Sequence, residues 1–191
     1  MKWAILLASA WPALAQVELH LTFGVLETVI GAQVFTDDGR RYVKGSKDKR
    51  CSFAYLETPR LSEADGRLVV RAKFSGRNAM TLFGQCVGLG DSFDVVIRMT
   101  PYAEKSLLRI RQVEVTSDGK RGVYARGVCK QLAATIPRVL IYDFAPEFKR
   151  ALEAEQTGAP FQKSVDDLIV QAINVSKEAL VLQLGFKMTI R

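Results

Sequence analysis

The chain is poor in the residue types from which most catalytic and metal centres are built. Among 191 residues there is one histidine, His20, and three cysteines, Cys51, Cys86 and Cys129. No two cysteines stand at C-x-x-C spacing, so a cysteine-based metal site has no sequence basis, and neither a metal nor a cofactor is expected. Tryptophan is confined to Trp3 and Trp11. No apolar run reaches the roughly 18 to 20 residues that a membrane-crossing helix needs. Repeats, low-complexity tracts and linkers are absent too, and a single domain over residues 16–191 is the expected organisation.

What is present first is a leader. Lys2 supplies a positive start, Trp3 to Pro12 form a short apolar stretch, and Ala13-Leu14-Ala15 is an A-x-A site before Gln16. This is the pattern of a secretory signal peptide, so residues 1–15 are expected to be removed and the mature chain to be soluble in the periplasm. Export leaves the formal charge of +7 lower by one, with Lys2 gone. It also argues against nucleic acid as a partner of the basic surface and in favour of an anionic membrane surface or lipopolysaccharide, unless the cations merely solubilise the outer faces of strands. An oxidising compartment favours one disulfide and one leftover thiol. All three pairings are open. Cys86 with Cys129 is the pairing expected here, because each sits where a strand pattern meets a glycine-containing bend, and closing that loop stabilises by about 3 to 4 kcal/mol in the chain-entropy model.

The rest reads mainly as strands. Leu180, Leu182, Leu184, Phe186, Met188 and Ile190 alternate with more polar neighbours and predict a long final strand, with Gly185 as a place to bend. Val17, Leu19, Leu21 and Phe23 alternate in the same way. Residues 24–35 carry Leu26, Ile30 and Val34 at helical spacing and stop at Asp37-Asp38-Gly39. Residues 53–60 and 67–74 form a hairpin around Asp65-Gly66, and Phe93, Val95, Ile97 and Met99 mark another strand. Residues 106–115 and 121–128 read as two arms joined at Asp118-Gly119, with a bulge where the apolar phase shifts between Ile110 and Val113. A helical region runs from near Cys129 through Leu132, Ile136 and Leu140, with a kink or break expected at Pro137. Pro146 opens a further helix, residues 153–158 read as a loop, and residues 168–175 lead into the final strand.

Catalytic motifs fail their tests. Gly90-Asp91-Ser92-Phe93 is similar to the serine box of an esterase family, but no Asp-x-x-His pair follows, and Asp91-Ser92 reads better as a turn. A Cys86 and His20 dyad is no stronger, since an oxidised cysteine is not a nucleophile. Gly88-Leu89-Gly90 lacks the third glycine of a dinucleotide site and is read as a bend. Asp37-Asp38 and Asp166-Asp167 do not have the spacing of a metal cage. The chain is therefore read as a non-enzyme.

The order of elements is informative in another way. A helix near the N-terminus comes first, followed by the arm Leu56-Glu57-Thr58-Pro59-Arg60-Leu61 that continues through Asp65-Gly66-Arg67-Leu68-Val69-Val70. The Gly90-Asp91-Ser92-Phe93-Asp94-Val95-Val96-Ile97 strand, the helical region after Cys129 and the closing Leu180 to Ile190 strand follow. Together they resemble the bacterial periplasmic branch of the tubular lipid-binding (TULIP-like) superfamily. The resemblance implies an α+β fold in which a long, strongly curved antiparallel sheet wraps around one or two helices, with a lipid or other apolar ligand in the gap. By position it implies helix walls at Leu26, Ile30, Leu132, Ile136 and Leu140, and sheet walls at Leu182, Leu184 and Phe186. The function so implied is a soluble periplasmic binding protein or carrier for an apolar ligand. The alternative is a non-catalytic envelope protein that docks an acidic partner or a membrane surface.

Overall fold

The computed structural model describes residues 15–154 and 163–190. The leader up to Leu14 and most of the loop expected over 153–158 lie outside the described residues. The chain order is β1 (Ala15–Thr22), α1 (Phe23–Gln33), β2 (Arg40–Lys44), β3 (Ser52–Ala64), β4 (Arg67–Leu82), β5 (Gln85–Glu104), β6 (Leu107–Ser117), α2 (Val123–Val139), β7 (Tyr142–Asp143), α3 (Ala145–Ala154), β8 (Lys163–Val175) and β9 (Ala179–Ile190). The protein is mostly antiparallel sheet, with a strongly curled half-barrel and three helices. Its strands divide between two sheets. One has the order β1-β9-β8 and the other runs β2-β3-β4-β5-β6-β7.

Local chemistry explains most boundaries. The β3–β4 hairpin turns at Asp65 and Gly66, both with positive φ (55° and 70°), as the Asp-Gly pair predicts for a two-residue turn matching strand twist. Ala64 pairs with Arg67 across it, and the register holds from there to Ser52 opposite Asn78, with one irregularity between Glu57 and Arg60. The apolar phase shift on β6 is a bulge. Gln112 takes φ 52°, and the β5–β6 register slips between Arg98 and Thr100, so Ile110 and Val113 both reach apolar surroundings. In the smaller sheet β9 lies between β1 and β8, and the alternating Leu180, Leu182 and Leu184 are almost fully buried.

Four expectations are corrected. Residues 121–128 are not a strand: α2 starts at Val123, because Ala125, Cys129, Leu132 and Ile136 recur at helical spacing and form its buried face. The helix also runs through Pro137 without a break and ends at Val139, with the proline in the last turn. Gly88-Leu89-Gly90 and Asp91-Ser92 are neither bend nor turn, since β5 is continuous through them and pairs with β4 residue by residue. The glycine at 88 serves close approach instead, because a Cβ there would collide with the Asn78 carbonyl and Ala79. Lastly, α3 continues through Glu153 to Ala154, so no loop begins at 153; Pro146 does lie in its first turn, and the Asp143 carboxylate accepts the Ala145 amide at 3.0 Å.

Two apolar clusters result. The larger joins Phe74, Phe93, Val95, Ile97 and Met99 of β4 and β5 to Ala125, Leu132 and Ile136 of α2. The smaller joins Leu180, Leu182 and Leu184 to Leu168 and Val170, with Phe148 of α3 against Phe186 at 5.5 Å. The sheets meet where the Val170 amide donates to the Lys105 carbonyl at 2.8 Å.

Candidate binding cleft between the curled sheet and the second helix

Between β2, β3, β4 and α2 lies a cleft of about 110 Å³. Its apolar part is built from Val43, Phe53, Ala54 and Phe74 on the strands and Val128 and Leu132 on the helix. Strand alternation puts Phe74 on the face shared with Phe93, and the two rings pack 5.1 Å apart. Tyr124, one helical turn before Val128, lines the same space, and burial followed by the Asp91 charge pushes its phenol above the ordinary value. Lys44, Arg77 and Asn78 also line the cleft. Lys44 donates to the Asn78 side-chain oxygen at 3.1 Å, while Arg77 makes no ion pair among the described residues. The arrangement offers a small apolar pocket beside two cations. That chemistry suits the end of an apolar chain next to a negatively charged group.

Of the residues expected to line a ligand site, only Leu132 lines this cleft. Ile136 is buried in the larger cluster, with Leu26, Ile30 and Leu140 packed against it half-buried. Leu182 and Leu184 are buried in the smaller cluster, where Phe186 is half-buried. The eight therefore fall into two groups, and Leu26 is the only one that touches both. Phe53, Phe74, Tyr124, Lys44 and Arg77 were missed. The alternation of Leu68, Val70, Ala72 and Phe74 marked Phe74 as inward, but Phe53 falls on the other phase of its strand, and nothing in the sequence ties Lys44 to residue 78 across the sheet.

The disulfide also differs. It joins Cys51 to Cys86, with Cα atoms 5.1 Å apart, and Cys129 is a free buried thiol. Cys129 sits on the buried face of α2 rather than at a bend, and burial pushes its thiol above the ordinary value. Cys51 precedes β3 directly, and its carbonyl accepts the Ala79 amide at 2.8 Å, which brings it beside the β4–β5 ribbon that carries Cys86.

The polar groups of the failed motifs have structural partners. Ser92 shares a 2.9 Å hydrogen bond with Ser75, its neighbour across β4 and β5. His20 lies on the other sheet, 3.5 Å from Glu18. Asp91 is bridged by Lys120 at 2.9 Å and also accepts the Ser92 amide, and these two bonds hold its carboxyl below the ordinary carboxylate value. Among the described residues no group of three His, Cys, Asp or Glu side chains is placed to hold a metal ion. No known protein family, curated protein or solved structure matches the chain.

Proposed function

We propose that this protein is a non-catalytic, exported binding protein or carrier for a ligand with an apolar chain and an anionic head. In this reading the curled sheet closes around α2, the chain end enters the cleft between them, and the head is held by Lys44 and Arg77. One observation carries it: Phe74 and Leu132 share a cleft with two cations, of which Arg77 has no counter-ion among the described residues. The cleft of about 110 Å³ is smaller than the roughly 300 to 1,000 Å³ of ligand pockets, so it takes the end of a chain and not a whole ligand. A disulfide in the fold and the A-x-A leader support residence in an oxidising compartment such as the periplasm. The resemblance in element order to tubular lipid-binding proteins supports the same ligand class.

The test is lipid extraction of purified protein with mass spectrometry, followed by titration with a fluorescent fatty acid. Leu132→Phe should fill the cleft and Arg77→Gln should remove the head contact, so both should weaken uptake, whereas Leu184→Ala should lower stability and leave the affinity of the folded protein unchanged. A wild-type protein that carries no lipid and takes up no probe would overturn the reading.

A further inference from the structure

The β4–β5 hairpin does not end where the core ends. Register places Asn78 opposite Leu89, Met80 opposite Val87 and Leu82 opposite Gln85, on the same strand face that lower down carries Phe74 and Phe93 into the core. Beyond Asn78 that face is largely exposed among the described residues: Met80 is 65% exposed and Leu89 74%, and Phe83 at the turn is fully exposed. The turn itself is unfavourable for its residue. Phe83 and Gly84 both take positive φ (47° and 78°), a two-residue geometry that suits Asn-Gly and penalises a bulky aromatic. Folding gains nothing from an exposed phenylalanine in a left-handed conformation.

Charge is distributed to match. No charged residue occurs from Asn78 to Gly90, while the segment just before Cys51 contains Lys44, Lys47, Lys49 and Arg50 against the single carboxylate of Asp48. Lys47 is paired with Asp38, and Lys49 and Arg50 have no ion pair among the described residues. Three ties hold this cationic segment against the ribbon. They are the Cys51–Cys86 disulfide, the Ala79 amide to Cys51 carbonyl bond and the Lys44 to Asn78 bond. Phe83 lies two residues past Thr81, whose hydroxyl is 3.3 Å from the Cys51 sulfur, so it stands roughly 7 Å beyond that tie along an upright ribbon. That matches the roughly 5 to 8 Å depth of one headgroup layer.

We propose that the tip of this hairpin docks the protein on an anionic lipid bilayer, with Leu82 and Phe83 inserted below the headgroups and Lys49 and Arg50 against lipid phosphates. An uncharged apolar tip above a cationic collar is the pattern of interfacial binding, in which buried apolar area and attraction to anionic lipid act together. The depth is limited by the backbone. β3 pairs with β4 only as far as Asn78, and β6 pairs with β5 only from Val95 onward, so the upper ribbon has two open edges that cannot enter hydrocarbon. Binding is therefore peripheral, reversible and salt-sensitive. The residues placed against lipid, Leu82, Phe83, Lys49 and Arg50, do not line the ligand cleft, so the proposal does not depend on what the cleft binds.

The experiment is co-sedimentation of the oxidised protein with vesicles of equal parts phosphatidylglycerol and phosphatidylcholine, and with vesicles of phosphatidylcholine alone. Wild type should bind the anionic vesicles and leave neutral ones, and should be released when salt shortens the Debye length to roughly 3 Å. Phe83→Ser should lower partition roughly tenfold, as expected for keeping a phenyl ring in water. Lys49→Glu with Arg50→Glu should lower it at least as far. Both variants change exposed positions, and an unchanged thermal midpoint confirms that they fold. Equal sedimentation with both lipids, or a Phe83→Ser protein that binds like wild type, would overturn the proposal. So would light scattering showing a dimer that Phe83→Ser dissolves, since the tip would then be an interface between two copies.

Discussion

The lower and upper halves of the β4–β5 hairpin share two strands, one register and one alternating pattern, yet their apolar residues meet opposite fates. Below residue 76, Phe74 and Phe93 are buried against each other and against the residues of α2. Above it, Met80, Leu82, Val87 and Leu89 repeat the pattern and stay exposed among the described residues. Strand periodicity therefore reports which face a side chain takes, and only the neighbouring elements decide whether that face is dry. The contrast separates residues that hold the fold from residues available for binding.

The comparison can be broken most forcefully by exchanging a large side chain in each half. Phe74→Ala should cost about 3 to 5 kcal/mol of unfolding free energy, because it leaves a cavity beside Phe93 and Leu132. Phe83→Ser should change stability by less than about 0.5 kcal/mol. Chemical denaturation of both variants checks the pair, and similar losses would show that the tip is part of the core.

Second in size is the covalent tie. Replacing Cys51 and Cys86 by serine should cost about 2 to 4 kcal/mol, since the bond closes a loop of 35 residues in the unfolded chain. Amide exchange should rise in the upper ribbon more than in the lower half, because an isolated two-stranded ribbon is marginal in water. A uniform rise along both strands would mean that the disulfide does not pin the tip in particular.

Two pH effects sharpen the picture of what holds the ribbon's base. Cys129 is buried beside Ser117 and burial raises its thiol, so its contribution to stability is complete below the ordinary thiol value and is lost as pH rises through the folded one. Cys129→Ala should remove that alkaline decline in thermal midpoint. The Asp91 carboxyl is lowered, chiefly by Lys120, so its contribution is present above the ordinary carboxylate value and is lost as pH falls through the folded one. Water screens this pair, so Asp91→Asn should flatten the acid limb of stability only slightly. An acid limb unchanged by the substitution would assign it to other carboxylates.

How much could be read from the residues follows the same division. Asp65-Gly66 gave its hairpin, the slip from Ile110 to Val113 gave its bulge, and the alternation of Leu180, Leu182 and Leu184 gave the long last strand. Each of these signals is local. The failures were places where a local signal has two physical meanings. Gly88 and Gly90 suit a bend, yet here they let β4 and β5 approach closely, and Asp118-Gly119 signals a hairpin while leading into α2 instead of a second strand. The disulfide depends on Cys51 lying beside Ala79, a contact set by the sheet and invisible along the chain. The cleft is of that kind too: its two cations and two phenylalanines come from three strands. The exposed tip needed the opposite information, which is that none of the described elements packs over it.

Hydrogen exchange of β4 and β5 with and without anionic vesicles tests the distinction most directly. The account predicts new protection confined to residues around Leu82 to Cys86, with exchange from Val70 to Phe74 unchanged. Protection spread evenly over both halves, or no protection at the tip while the protein is vesicle-bound, would contradict it.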